Sequence, residues 1–178
     1  MTRSLYMDSA TLHAEACICI LHAMATKSAR DEAARFFDDL ARCETRLYNG
    51  VGDDLAREHG IVASQFEFLR YFRDHPGSRV VDVAVNFAAG MGAISKGVDR
   101  LEQRGLVARH PNPADGRSSL ISLTRAGGEV VAAAEHTFDE RLSELLSTLT
   151  VDQISTIGAT LAALRAALER DRVGQPAG

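Results

Sequence analysis

Apolar residues follow a helical spacing along most of this chain and change to a strand-like spacing in one short segment. Up to Gln103 they recur every three or four positions, as on one face of an amphipathic helix. Between Leu106 and Leu123 they alternate with polar residues, and the polar stretch 111–117 divides that segment into two halves. After Thr124 the helical spacing returns. The pattern therefore predicts a mainly α fold with one small β-hairpin.

Helical spacing predicts four helices before the hairpin and two after it. The first four lie at about residues 29–59, 64–73, 80–87 and 91–103. Thr124 is a good N-cap for the fifth helix, and Thr150 with Gln153 resembles a capping box for the sixth. The apolar stripe of the first helix, which Gly60 ends, consists of Phe36, Leu40, Cys43, Leu47, Val51 and Leu55. The stripe of the fifth helix consists of Val131, Ala134, Phe138, Leu142, Leu145 and Leu149.

Short helices, then an exposed helix, then a hairpin is the element order of a winged helix-turn-helix. In that fold one helix enters the DNA major groove, and the hairpin, or wing, reaches the neighbouring minor groove. The long terminal helices carry more apolar surface than a small winged domain covers, which favours a homodimer. The expected parts are a helical extension (1–28), a dimerisation and linker helix (29–60), a winged helix-turn-helix DNA-binding domain (61–124), dimerisation helices (125–170) and a flexible tail (171–178).

The fourth helix is the candidate DNA-reading element. With Ile94, Val98 and Leu101 facing inward, the opposite face carries short, polar or cationic residues suited to phosphates and base edges: Gly92, Ser95, Lys96, Asp99, Arg100 and Gln103. Because the whole chain has a net charge of -4, a DNA site has to be a local basic patch. Residues 91–125 hold three acidic side chains against six basic ones, namely Lys96, Arg100, Arg104, Arg109, Arg117 and Arg125.

The segment 61–128 resembles the MarR family of bacterial transcription regulators. The resemblance rests on QFEFL (65–69) in the second helix, SKGVDRLE (95–102) with RGLV (104–107), and NPADGRSS (112–119) before Leu123 and Thr124. It implies a dimeric transcription factor, by default a repressor, that binds double-stranded DNA. A twofold dimer in turn predicts a pseudo-palindromic operator whose half-sites lie about one helical turn apart.

The resemblance also implies residue roles. Arg117 at the wing tip enters the minor groove, Asp115 braces it, and Ser118 belongs to the same tip motif. Ser95, Lys96 and Arg100 serve the major groove or its phosphates, on the face that Gly92 shares. Similar proteins often bind small aromatic or phenolic effectors between the dimer helices and the DNA-binding lobe.

The chain departs from the pattern of that family at several positions. Gly90, Gly92 and Ala93 stand where Ser and Thr are usual, and Gly116 replaces the first Arg of the common wing tip. Fewer side-chain donors therefore remain at the start of the fourth helix. Val62 likewise occupies a position where a capping Thr is common.

Cysteine chemistry gives an alternative function. Cys43 lies on the apolar stripe of the first helix, near the expected effector pocket, so the chain could be a cysteine-based redox-sensing regulator. The other interpretation is a buried, small apolar filler. His13, Cys17, Cys19 and His22 suggest zinc, but Cys17 and Cys19 lie about 200° apart around a helix, so one segment cannot bring all four to one ion. We expect no metal.

Other classes of protein fit the sequence less well. No nucleophile with its base and no phosphate-cradling loop is visible, so we expect neither an enzyme nor a cofactor. A winged-helix module for protein–protein interaction stays an alternative. The run from Ala14 to Ala25, broken by Glu15 and His22, falls short of the ~20 apolar residues of a membrane span, so we expect no membrane partner. Three cysteines without paired spacing favour the reducing cytoplasm.

Overall fold

The computed structural model describes residues 27–175, and the chain divides into two compact units, 1–46 and 47–178. Eight elements lie in the described part: α1 (Lys27–His59), α2 (Ala63–Asp74), α3 (Val80–Asn86), α4 (Met91–Gln103), β1 (Val107–Pro111), β2 (Ser119–Leu123), α5 (Arg125–Leu145) and α6 (Val151–Arg170). The mainly α fold with one small β-hairpin is thus confirmed. The residues of the proposed zinc cluster, and the whole run 14–25, lie outside the described residues.

In the first unit, the described residues 27–46 belong to α1 and none of them is buried. Phe36 and Phe37 are 50% and 67% exposed. Cys43 is exposed as well, so the interpretation of this cysteine as a buried apolar filler is wrong for the chain by itself. The apolar stripe becomes buried only further along α1, in the second unit, at Val51 and Leu55.

The core of the second unit is built from α2, α3, α4, the hairpin and α5, together with the end of α1. Phe66, Leu69 and Phe72 line the inward face of α2, as their three-residue spacing predicts, and each is at most 1% exposed. Phe66 lies 5.2 Å from Phe138 of α5, measured between ring centroids. The remaining fully buried large side chains are Leu55, Ile61, Val83, Val98, Leu101, Ile121 and Val131.

The hairpin is antiparallel, with Val107 opposite Leu123 and Pro111 opposite Ser119. Its strands begin one residue later than their alternation suggests. A third short segment joins it, because Ser78, between α2 and α3, forms a β-bridge to Ile121. The wing is therefore attached to the helical lobe by backbone hydrogen bonds as well as by its own ends.

N-capping residues mark the starts of the last two helices. The hydroxyl of Thr124 accepts a hydrogen bond from the Gly127 amide at 3.0 Å, and Thr150 exchanges hydrogen bonds with Gln153, so both predicted caps are confirmed. The prediction that Leu149 continues the fifth helix is wrong, since α5 ends at Leu145 and a turn follows.

Two surfaces of the helices remain open. In α3, Val83 and Ala84 are buried, whereas Val81 and Val85 are exposed, so one face of this apolar helix is covered and the other is open. In α6 no residue is buried, although Ile154, Ile157 and Leu164 share one face. No helix within residues 27–175 is both long and apolar enough to cross a membrane.

Candidate nucleic-acid interface

The inner face of α4 packs into the core and so sets which side of the helix faces solvent. Ile94, Val98 and Leu101 are 2%, 0% and 0% exposed, so the predicted inward stripe is confirmed. Burial of these three side chains turns the opposite face outward along all three turns of the helix. On that face Gly92, Lys96 and Arg100 are exposed, and Ser95 is half-buried.

The cations of α4 differ in how they are paired. Within the described residues, neither Lys96 nor Arg100 forms an ion pair. Arg109 of β1, by contrast, reaches back to α4 and contacts Asp99 at 2.6 Å and Glu102 at 3.2 Å. The charge of Arg109 is therefore used inside the protein, and Asp99, expected on the DNA-facing surface, serves to hold the wing strand to the helix.

Asn112, Asp115 and Ser118 shape the tip of the wing. The Asn112 amide donates to the Ser118 hydroxyl at 2.8 Å, and that hydroxyl donates to the Asp115 carbonyl at 3.2 Å. The carboxylate of Asp115 accepts the backbone amide of Arg117 at 3.1 Å. Short polar side chains that bond nearby backbone groups are typical of tight turns. The tip is thus a defined turn held by its own side chains.

Arg117 projects from this turn. Its side chain is 96% exposed, and its Nε lies 3.5 Å from the carboxylate of Asp115. A carboxylate bound to both the backbone and the side chain of one residue restricts the directions that the guanidinium samples. The structure therefore brings together Asp115, Arg117 and Ser118 at the wing, and Gly92, Ser95, Lys96 and Arg100 on α4.

Arg79, at the start of α3, is a further cation near the wing that the sequence analysis missed. Its guanidinium pairs with Asp82 at 2.8 Å. This hydrogen bond, with a smaller effect from the carboxylate of Asp115, raises the pKa of Arg79 above its ordinary value. Arg79 lies near the wing because the preceding residue, Ser78, forms a β-bridge to Ile121. This pairing joins residues far apart in the sequence, so local spacing does not predict it.

An open, mainly apolar cavity of about 340 Å³ lies beside α4 in the second unit. Its walls include Tyr48 of α1, Glu67 and Phe68 of α2, and Gly97 and Arg100 of α4. Cys43 is not among the lining residues. The cavity touches the same helix that presents Lys96 to solvent, so a molecule bound there contacts the candidate DNA-reading element directly.

A short chain of hydrogen bonds joins the end of α1 to α5. The buried hydroxyl of Thr137 donates to the Glu58 carboxylate at 2.9 Å and lies 2.8 Å from Nε2 of His59. Since a hydroxyl has a single proton, His59 is the donor in the second bond. The hydroxyl of Thr137, followed by Arg57, lowers the pKa of Glu58 below its ordinary value.

Comparison with known proteins identifies this arrangement. A sequence model described as the MarR family matches residues 59–118, which run from the end of α1 to the wing tip. The multiple antibiotic resistance protein MarR of Escherichia coli K12 is 32% identical over 116 residues, covering 62% of this chain and 81% of that protein. The chain belongs to the MarR family.

A second relative and a solved structure are also similar to this chain. The uncharacterized HTH-type transcriptional regulator YxaD of Bacillus subtilis is 26% identical over 105 residues, covering 59% of this chain and 73% of YxaD. A mutant of E. coli MarR complexed with operator DNA superposes with a TM-score of 0.69 at 25% identity, over 75% of this chain and 96% of that one. The winged helix fold predicted from the sequence is thus confirmed. Among residues 27–175, no group of three or more His, Cys, Asp or Glu side chains could hold a metal ion.

Proposed function

We propose that this MarR-family chain is a homodimeric, sequence-specific DNA-binding regulator that represses transcription and is released by a small aromatic or phenolic effector. The proposal rests mainly on the presence of cationic side chains on two exposed elements, the outer face of α4 and the tip of the wing. Lys96 and Arg100 lie on the outer face of a helix whose inner face is fully buried, and the 96% exposed Arg117 stands at the tip of the wing that follows.

Charge supports DNA as the partner. Lys96 and Arg100 form no ion pair with the described residues, so binding to phosphates breaks no internal salt bridge. Within residues 27–175, the ion pairing of the Arg117 side chain is limited to the 3.5 Å contact with Asp115. A surface for an acidic protein partner would share this charge. A cationic helix followed by a cationic wing tip is, however, the arrangement expected of a winged helix that enters a major groove and reaches the neighbouring minor groove.

An open apolar surface supports the dimer. No part of the chain that the structure describes buries the face of α6 that carries Ile154, Ile157 and Leu164, and these side chains are 38%, 47% and 38% exposed. A second copy that buries this face gives a twofold dimer and hence two DNA-reading helices for a pseudo-palindromic operator.

The cavity beside α4 supports the effector. Aromatic side chains such as Tyr48 and Phe68 suit a flat ring, and Arg100 offers a cation for a carboxylate or phenolate. A ligand shifts the protein between DNA-binding and released states only if it prefers one position of α4 over the other. Benzoate and phenol derivatives titrated into the DNA complex test this part, and release by none of them would contradict it.

DNA binding is tested by fluorescence anisotropy with the duplex upstream of the protein's own gene and a scrambled duplex, across a range of salt concentrations. We expect preference for the natural duplex and a strong loss in Arg117→Glu. Arg170→Glu is the matched control, because Arg170 is also exposed (72%) and also lies 3.5 Å from a neighbouring carboxylate, that of Asp171. Equal, weak binding of both duplexes by the wild type would favour a protein-interaction module instead.

A further inference from the structure

The recognition helix, as we call α4, is joined at its C-terminal end to the junction between α1 and α2. Arg104, the residue that follows α4, donates from Nη1 to the carbonyl oxygen of Gly60 at 3.0 Å. The same nitrogen donates to Oε1 of Gln65 at 3.2 Å. The residues in contact are 44 and 39 positions apart in the chain, so these bonds connect two elements and not two turns of one helix.

Both acceptors belong to the junction itself. Gly60 has a φ of +63°, and the chain turns there from α1 towards α2. Gln65 lies in the first turn of α2, and its Oε1 also accepts the amide of Val62 at 3.2 Å. Arg104 therefore bonds to the two groups that define how α2 leaves α1, and we call this set of contacts the Arg104 clasp.

The turn after Arg104 is held from the other side by α5. The Gly105 carbonyl accepts the Thr124 hydroxyl at 2.7 Å, and the Thr124 amide donates to the Leu106 carbonyl at 3.1 Å. The C-terminal end of the recognition helix is thus tied to α1 through the clasp and to α5 through Thr124. The effector cavity lies along an earlier part of the same helix, at Ala93, Gly97 and Arg100.

We propose that Arg104 is a positioning residue, which sets the orientation of the recognition helix through the clasp and so controls operator affinity without contacting DNA. This inference rests on the proposed DNA-binding function. Lys96, Arg100 and Arg104 follow one another at four-residue steps, and this spacing alone would make all three phosphate contacts. The inference gives Arg104 a different role from the other two. The guanidinium is neutralised by no carboxylate among the described residues, yet two neutral acceptors from the junction fix its position.

The test compares Arg104→Met, which removes both hydrogen bonds of the clasp, with Gln65→Met, which removes one of its two acceptors without changing any charge. Anisotropy is measured with the natural and scrambled duplexes across a range of salt concentrations, at a temperature where every variant is folded by circular dichroism. We expect both variants to bind the natural duplex about 3- to 10-fold more weakly, to bind the scrambled duplex like the wild type, and to keep its salt slope. The double variant should lose no more than Arg104→Met alone, because that substitution already removes both bonds of the clasp.

Arg170→Met is the matched control, since it also removes an exposed arginine, one that lies outside the basic segment and whose side chain contacts Asp171 at 3.5 Å. It should leave the preference between the two duplexes unchanged. A phosphate contact by Arg104 predicts a different result: Arg104→Met weakens both duplexes, lowers the salt slope by about one, and Gln65→Met changes nothing. That result, or unchanged binding in both variants, would overturn the inference. If the wild type itself shows no preference for the natural duplex, the proposed function is wrong, and the inference that rests on it is wrong as well.

Discussion

Gly127 and Gly128 are neighbours in the first turn of α5, but their surroundings are opposite. A Cβ at Gly127 would lie 1.9 Å from the carbonyl oxygen of Leu106, whereas nothing lies within 4 Å of a Cβ at Gly128. The first glycine is therefore required by the close approach of α5 to the start of the hairpin.

Alanine at these two positions should have opposite effects on stability. Gly127→Ala forces a backbone clash and should lower the free energy of unfolding by about 2 kcal/mol or more. Gly128→Ala should raise it by about 0.5–1 kcal/mol, because alanine favours the helix and meets open space. Urea unfolding followed by circular dichroism measures both. Equal effects of the two substitutions would mean that α5 does not approach Leu106 as closely as described.

Gly97 plays a related part in the wall of the cavity. A Cβ at this position would lie 2.5 Å from Cε2 of Phe68, so the ring has to move. Gly97→Ala should cost about 1–2 kcal/mol of stability by overpacking. Phe68→Leu in the same protein should recover most of that loss, and a double-mutant cycle in urea measures the coupling. Simple additivity of the two changes would show that the ring and the glycine are not in contact.

At the scale of elements, the buried hydroxyl of Thr137 joins α5 to the end of α1. Thr137→Val removes the hydrogen bonds to Glu58 and His59, and we expect a loss of about 1–2 kcal/mol at neutral pH. Thr160→Val is the matched control, because its exposed hydroxyl donates to the Thr156 carbonyl within α6, at 2.8 Å, and so joins no second helix by this bond. A similar loss in both variants would mean that the connection between helices adds nothing.

The same hydroxyl gives the stability a pH dependence. The pKa of Glu58 is lowered in the folded protein, so its contribution is present above the unfolded pKa of a glutamate, about 4.3, and is lost as the pH falls through the lower folded value. In Thr137→Val the largest cause of that shift is gone. The difference in stability between wild type and variant should therefore shrink as the pH is lowered below about 4, which urea titrations at several pH values measure. A constant difference would contradict the role of Glu58.

Local spacing predicted the elements well because each is decided by residues close in sequence. The stripe of Ile94, Val98 and Leu101 gave α4 its bounds, and Thr124 and Thr150 gave the starts of α5 and α6. Pairings between distant residues could not be found in this way. Spacing shows which face of a helix is outward. It does not show that Arg109 forms an ion pair with Asp99, or that Arg104 donates a hydrogen bond to the Gly60 carbonyl. The roles of the DNA-facing residues rest on the resemblance and stay predictions.

For the whole molecule, the charge distribution decides where DNA can bind. The chain carries a net charge of -4, so a duplex is repelled by most of the protein and attracted at the basic segment. Because Asp99 and Glu102 pair with Arg109, we expect the attraction to depend on few cations, chiefly Lys96, Arg100 and Arg117. We therefore expect a modest salt slope for each protomer, and we expect strong operator binding to need two protomers at once, as the proposed dimer would supply.

That requirement makes the open face of α6 a point at which DNA binding can be lost without touching the DNA-facing residues. Ile157→Glu places a charge in the middle of this face, whose burial between two copies would leave the carboxylate unpaired. We expect sedimentation equilibrium to show monomers at concentrations where the wild type is dimeric, and operator affinity to fall by at least about 100-fold as the avidity of two protomers is lost. Ala159→Glu, on the opposite face of the same helix, should leave both unchanged. Should Ile157→Glu remain dimeric, the dimer would have to form through other surfaces, and the apolar face of α6 would need a different partner.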